Sequence, residues 1–429
     1  MKAGSLGSRN FRLMEGGFLI ANTGYFMQIT ATHWLVLSLT ESPVDVGVTS
    51  ALMFLPMVVL GMAGGILADR YPKRCILLFT YVGWAALTGL LAGLTLAHTV
   101  QLWQVQLIAT GLGILEALGW PAQYAFVSEL VEPVLLRNAV SVHSSSTQVA
   151  LLLGPASGGL LISAVGPGGS FFIAAASYLV PVAALTRIRA KELKTLPPLP
   201  VQRGQLREAL RFAMGRPDVL WPTILVGVFG IFTGNLTVTL AVYAKSVYDS
   251  GPGGYGFFSA TVAVGSLLGA LLSLRPRRSR LRTLVLLATL LATLYILAAA
   301  APSLHIFAGL LAGIGAGTLL LQTLCNSTVL LAAHGSMRGR IGAIYLLVWS
   351  AGIAVGGPLV GAIDEHLGPQ AGMLLAGAVP GLVTLLIAAR LGARLWQSRR
   401  RSPGDPIGAK VSGNLAGASE LTASELQNR

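Results

Sequence analysis

The chain has 429 residues, of which 54% are hydrophobic and 11% charged, and it carries a formal net charge of +14. Soluble domains hold about 25% charged residues, so a water-soluble surface is excluded at this length. A soluble enzyme or a basic nucleic-acid-binding domain goes with it, because the cations sit in short segments between long apolar runs rather than on one face.

A bilayer core about 30 Å thick needs roughly 20 apolar residues in a helix. Candidate spans in chain order are 11–40, 43–67, 75–97, 101–126, 139–164 and 169–187, then 219–244, 254–274, 282–301, 303–331, 341–363 and 369–394. The first run is too long for a signal-peptide core and is expected to be retained as a span. The spacing predicts an all-α membrane protein of twelve transmembrane helices. Its expected parts are an N-terminus (1–10), a six-helix bundle (11–187), a linker (188–218), a second six-helix bundle (219–394) and a disordered tail (395–429). Within the linker, Leu206, Leu210 and Ala213 share a face turned away from Arg207 and Arg211, which predicts a short interfacial helix. Cys75 and Cys325 fall in different halves and are expected to be free thiols.

Cations test this topology. With the N-terminus cytoplasmic, only Lys245 among the 30 Lys and Arg residues falls on the outer side. Glu41, Asp45, Asp249, Asp364 and Glu365 mark the outer loops. Both termini are therefore expected in the cytoplasm and the protein in the cell (inner) membrane.

The two halves echo each other. Arg137, Gly154, Pro155 and Gly158 return as Arg340, Gly357, Pro358 and Gly361, all at an offset of about 203 residues. Gly111-x-Gly113 returns as Gly313-x-Gly315, and the arginine loop after span 2 returns as Arg275-Pro276-Arg277-Arg278. Several landmarks at nearly one offset indicate a duplicated six-helix unit. Such repeats place a substrate site between the halves near the bilayer midplane.

Gly65-Ile66-Leu67-Ala68-Asp69-Arg70-Tyr71-Pro72-Lys73-Arg74 joins spans 2 and 3. It resembles the signature loop G-x-L-A-D-R-x-G-R-[RK] of the major facilitator superfamily, with Pro72 in place of the second Gly and Lys73 in place of an Arg. Asn10-Phe11-Arg12-Leu13, Met27-Gln28, Trp34-Leu35-Val36-Leu37, Ser42-Pro43, Glu129-Leu130-Val131 and Arg137-Asn138-Ala139 look like the branch that contains the enterobactin exporter and macrolide-efflux-type proteins. Around the span-4 proline, where that branch often has Asp and Arg, this chain has Gly119 and Gln123 beside Pro121. The resemblance implies a secondary transporter working by alternating access. It implies that Gly65, Asp69, Arg70 and Arg74 form a gating loop that latches the halves in the outward-facing state.

Glu116 is the acid placed deepest within a span, and intramembrane acids are functional hypotheses by default. It is the candidate for proton coupling; a hydrogen bond to a neighbouring helix is the structural alternative. Trp120 and Gln123 lie on the same face of span 4. Glu15, close to the cytoplasmic end of span 1, is expected to reach the interface, and His33 to be a packed or interfacial residue. Asn22, Tyr25, Gln28 and Thr32 share an arc of span 1, Asn235, Thr239 and Tyr243 a face of span 7, and Thr318, Gln322 and Asn326 a face of span 10. These polar faces suit a central aqueous cavity for a small-molecule substrate, or interhelical hydrogen bonding. Gly154, Pro155, Gly158, Gly357, Pro358 and Gly361 are expected to be hinge and packing residues where the halves meet.

There is no phosphate-binding loop, no metal-ligand spacing and no catalytic constellation, so no cofactor or metal is expected. The reading is a monomeric, proton-coupled secondary transporter exporting an amphipathic small molecule such as a drug, siderophore or secondary metabolite. An importer or uniporter of a polar metabolite, a lipid flippase and a non-transporting receptor are the alternatives.

Overall fold

The computed structural model describes residues 4–189, 193, 205–273, 281–333 and 337–400; the side chains of 205–207, 338–339 and 391–400 are outside the description. Residues 190–192 and 194–204 of the linker, the Arg275–Arg278 landmark and the tail from 401 lie outside the described residues.

Helices begin where the sequence supplies capping groups. Ser8 accepts from the Phe11 amide at the start of α1 (Arg9–Thr40), and Ser42, followed by Pro43, accepts from the Asp45 amide at the start of α2 (Pro43–Arg70). Between them Glu41 takes a left-handed conformation, φ 57°, and closes α1. The helices α3 (Lys73–Leu96) and α4 (Leu102–Glu129) follow, the latter opened by a Gln101–Gln104 capping box.

Predicted spans 5 and 6 form one run, α5 (Leu136–Arg187), broken by non-helical geometry at Gly166, φ 74° and ψ 174°. The expected loop at 165–168 is a kink, because glycine adopts positive φ without a Cβ clash and Pro167 can start the next helical arm.

The second half contains α6 (Gln205–Gly215), α7 (Pro217–Thr233), α8 (Leu236–Val242) ending in a π turn (Tyr243–Val247), α9 (Gly251–Ser273), α10 (Leu281–Ala299), α11 (Leu304–Ala332), α12 (Arg338–His366) and α13 (Pro369–Arg400). Span 7 is interrupted at Asn235. Its side-chain amide donates to the Ile231 carbonyl at 2.9 Å, left without its usual helical donor at the break, and to the Ile353 carbonyl of α12 at 3.1 Å.

Among the described residues ten helices are long and apolar enough to cross a membrane, one of them the kinked run counted from Pro133 to Arg187. That run supplies two spans. The 32-residue α1 is the remaining span; its Asn, Gln, Thr and His residues lower its hydropathy. The architecture is thus twelve transmembrane helices in two pseudo-symmetric six-helix bundles.

The halves repeat the same packing. In the first, α2 and α4 approach so closely that a Cβ on Gly64 would lie 2.0 Å from the Ala117 carbonyl oxygen, and one on Gly113 2.2 Å from that of Met53. In the second, α9 and α11 do the same through Gly265 against Ala312 and Gly315 against Val262. Small residues allow such backbone contact, which packs helices in lipid. Between the halves, α2 meets α12 and α5 meets α9.

By Cα proximity the chain forms one compact unit, Met1–Thr384, and a second, Leu385–Arg429, whose described part is the C-terminal portion of α13. The α6 helix buries Ala209 and Ala213 and exposes Leu210 and Met214. The face that packs is the alanine stripe, which lets α6 lie close to α7 and α12, while Leu210 stays exposed.

Candidate functional site

The first bundle holds a buried polar pair. Glu116 of α4 is 7% exposed, and the Tyr25 hydroxyl of α1 donates to its Oε2 at 2.5 Å. Aromatic rings wall this pair. Trp84 lies 6.1 Å from Tyr25, 5.2 Å from Tyr81 and 5.6 Å from Tyr178, ring centre to ring centre, and donates its indole N–H to the Leu112 carbonyl. Trp120 is half-buried and stacks on Tyr124 at 5.9 Å, while Gln123 is buried with its Nε2 unpartnered.

The polar arc of α1 divides. Tyr25 reaches Glu116, but Gln28 accepts from the Thr88 hydroxyl at 2.9 Å and the Tyr178 hydroxyl at 2.7 Å. Gln28 therefore ties α1 to α3 and α5, the interhelical alternative. Asn22 and Thr32 are buried, and the Thr32 hydroxyl is unpartnered.

In the second bundle Thr239 donates to Oδ2 of Asp364 at 2.8 Å, and Tyr243 stacks on Phe307 at 4.6 Å. Asp364 is 3% exposed within α12, so it is not the outer-loop acid expected; the helix runs past it and turns it inward. Gln322 and Thr318 line a cavity of about 10 Å³ with Thr233 and Trp349, room for no more than one water. Asn326 is exposed.

The side-chain bonds identified between the halves among the described residues gather at one end. Ser42 donates to Glu365 at 2.6 Å, and Lys245 donates to Glu41 at 3.0 Å and to the Leu37 carbonyl at 3.3 Å. Ser50 donates to Asn235 at 3.2 Å, Thr237 meets His33 at 3.1 Å, and Trp34 stacks on Tyr255 at 5.6 Å. Thus Asn235 bridges the halves, and His33 is a contact between them.

The predicted hinge glycines separate into two sets. A Cβ on Gly357 would lie 2.4 Å from the Gly47 carbonyl oxygen, and one on Gly361 2.4 Å from that of Pro43, so α12 meets α2 there, near Pro358. Gly154 and Gly158, flanking Pro155, face Phe26, Met27 and Thr30 of α1 instead. The expectation that they touch the other half is corrected; that contact belongs to Gly159, against Gly256. A helix stripe i, i+4 points one way, and Gly159 is one residue, about 100°, around from Gly158.

At the opposite end Asp69 and Arg70 are exposed, Arg74 is half-buried, and Asp69 makes no ion pair among the described residues. Lys73 pairs with Glu129 at 2.9 Å. Gly65 has open space where a Cβ would be; its neighbour Gly64 carries the helix contact.

Glu15, like Asp364, lies deeper than the sequence suggests. Glu15 is 6% exposed rather than reaching the interface, and its partner is His143 of α5, at 3.1 Å. The chain separation of the two hid the pairing.

A chain folded as two six-helix bundles, with buried carboxyls in both and, among the described residues, side-chain bonds between them gathered at one end, has the form of a secondary transporter. A family model described as transmembrane secretion effector matches residues 4–414, and the chain belongs to that family, within the major facilitator superfamily. It is a multi-pass membrane transporter and not an enzyme. It is 26% identical over 401 residues to the uncharacterized MFS-type transporter YfiS of Bacillus subtilis, covering 89% of this chain and 92% of that one. It is 27% identical over 368 residues to the enterobactin exporter EntS of Escherichia coli, covering 82% and 85%. A shorter match, 27% over 169 residues and 39% of this chain against 42% of the other, joins it to the staphyloferrin A transporter of Staphylococcus aureus. Among solved structures, a bacterial homolog of the human lysosomal transporter Spinster superposes with a TM-score of 0.69 at 16% identity, covering 89% and 96% of the chains. A POT family transporter superposes at 0.71 and 13%, with the same coverages.

Proposed function

We propose that the protein exports an amphipathic small molecule by alternating access, driven by protons entering in exchange. The observation that carries the reading is the buried Glu116 carboxyl of α4 bonded to Tyr25 of α1. A carboxyl in hydrocarbon is expensive and is kept where it serves transport. Its aromatic surround offers flat apolar surface beside an acceptor, which suits an amphipathic substrate of the siderophore or drug type. The names of its relatives, an enterobactin exporter and a staphyloferrin A transporter, support efflux.

In this reading the structure is the state closed at the outer end and open to the cytoplasm. The bonds between halves gather where α1 turns into α2. The exposed, unpaired Asp69 fits a latch that engages only in the outward-facing state. Both termini lie in the cytoplasm of a cell-membrane protein acting as a monomer, with α6 at the cytoplasmic interface. A proton shifts the two states only through its differential affinity for them; breaking the Tyr25–Glu116 bond on opening is one source of that difference.

The test is flux in proteoliposomes holding the full chain, with enterobactin, staphyloferrin A and ethidium as probes, under an imposed or collapsed proton gradient. Gradient-stimulated flux of at least one probe, lost in Glu116→Gln while exchange persists, is expected. Flux indifferent to the gradient in the wild type assigns the chain to uniport instead.

A further inference from the structure

Outside the Glu116 site, the described residues hold one buried carboxyl–imidazole pair, at the N-terminal end of the same bundle. Glu15 of α1 and His143 of α5 are 6% and 1% exposed. His143 Nδ1 lies 3.1 Å from Oε2 and 3.3 Å from Oε1 of Glu15. The Ser146 hydroxyl, one turn along α5, also donates to Oε1. Phe18 and Tyr124 enclose the imidazole, with ring centres at 5.4 and 4.9 Å.

The hydrogens follow once Glu15 is taken as ionised and the His143 ring as neutral. An ionised carboxyl only accepts, so Ser146 and Nδ1–H both donate to it. That leaves Nε2 as the lone-pair nitrogen, and Nε2 is buried with no hydrogen-bond partner. A buried imidazole nitrogen with no partner is costly as a purely structural arrangement. A proton arriving at Nε2 would convert an anionic pair into a neutral imidazolium–carboxylate pair and remove a net charge from an apolar site.

We propose that Glu15 and His143 form a second proton-binding station, taking up one proton at Nε2 of His143. The other titratable groups that face the pair are Tyr81 of α3 and Tyr124 of α4; Arg12, a turn below on α1, is exposed. Neither Lys nor Arg forms an ion pair with Glu15 among the described residues. Tyr124, whose ring edge meets His143, is 39% exposed, so one side chain separates the pair from the surface of the bundle. Glu116 is bonded to Tyr25, ten residues further along α1 and about 15 Å away at 1.5 Å per residue. The two carboxyls, Glu15 on α1 and Glu116 on α4, are therefore separate stations in one bundle, the first nearer the proposed cytoplasmic opening.

The proposal rests on proton coupling as the protein's mode of action but not on Glu116, and its test needs no transported substrate. The full chain, labelled with ¹³C at the histidine ring, is placed in lipid nanodiscs and titrated. His143 is assigned by the resonance lost in His143→Gln, and the carboxyl stretch of Glu15 is followed by infrared difference spectroscopy. The expected result is a single linked protonation seen at both groups. Glu15→Gln displaces the His143 titration by more than threefold in proton concentration, Glu15→Asp restores it, and Glu116→Gln moves it by less than twofold. Wild-type His143 showing no titration across the range in which the protein stays folded overturns the proposal, and so does a titration indifferent to Glu15→Gln. The wild-type measurement stands even if a variant fails to fold.

Discussion

Replacing Gly47 by alanine should open the closed end. A Cβ there would lie 2.0 Å from the Gly357 carbonyl oxygen and 2.5 Å from its carbon, whereas ordinary contact starts at 3.4 Å. The obstacle is backbone, so α2 and α12 must part by more than an ångström where they cross. Overpacking of this kind costs about 1–3 kcal/mol. The cost falls only on the state in which these helices touch, so the ratio of closed to open should drop by roughly 5- to 150-fold. Spin labels at Thr40 and Asp249, one on each half at this end, report the change by double electron–electron resonance in a background free of Cys75 and Cys325. A longer-distance population should grow in Gly47→Ala and not in Gly16→Ala, where nothing lies within 4 Å of the added methyl. An unchanged distribution in Gly47→Ala, or an equal change in the control, refutes the reasoning.

Three further outcomes follow from the packing. Gln28→Leu leaves the Thr88 and Tyr178 hydroxyls without their acceptor and should cost about 1–3 kcal/mol, read as a lower Tm in detergent with an unaltered substrate profile; altered selectivity at constant Tm would make Gln28 a cavity residue. Lys73→Ala strips the partner from Glu129, which is 4% exposed, and should destabilise the protein by about 1–3 kcal/mol, below the range for fully buried pairs because Lys73 is partly exposed; Arg70→Ala should change Tm far less. Cys75 is exposed and Cys325 buried, so a membrane-impermeant maleimide should modify Cys75 alone, and only from the cytoplasmic face. Modification from the outer side would reverse the proposed orientation.

The helices and their count were legible because lipid imposes a length and hydropathy rule on each span. The duplication was legible because the same small residues are needed wherever α2 meets α4 and α9 meets α11. Depth within a span singled out Glu116 but not its partner, since Tyr25 is one of four polar residues on an arc and only the tertiary fold selects it. Gln28, on the same arc, turned out to bond Thr88 and Tyr178. Glu15 was misplaced for the same reason: its distance from the helix end suggested the interface, while His143, far along the chain, draws it inward. Rotation within a glycine-rich stripe is equally hard to read, so Gly158 and Gly159, adjacent in sequence, face different halves.

The account rests on protons and substrate crossing in opposite directions through one bundle pair. The most direct measurement is the internal pH of proteoliposomes, reported by entrapped pyranine, as an enterobactin gradient is applied across a membrane with no imposed pH difference. The account predicts a pH change whose sign shows protons moving against the substrate, absent in Glu116→Gln. Enterobactin crossing with pyranine unchanged would contradict it.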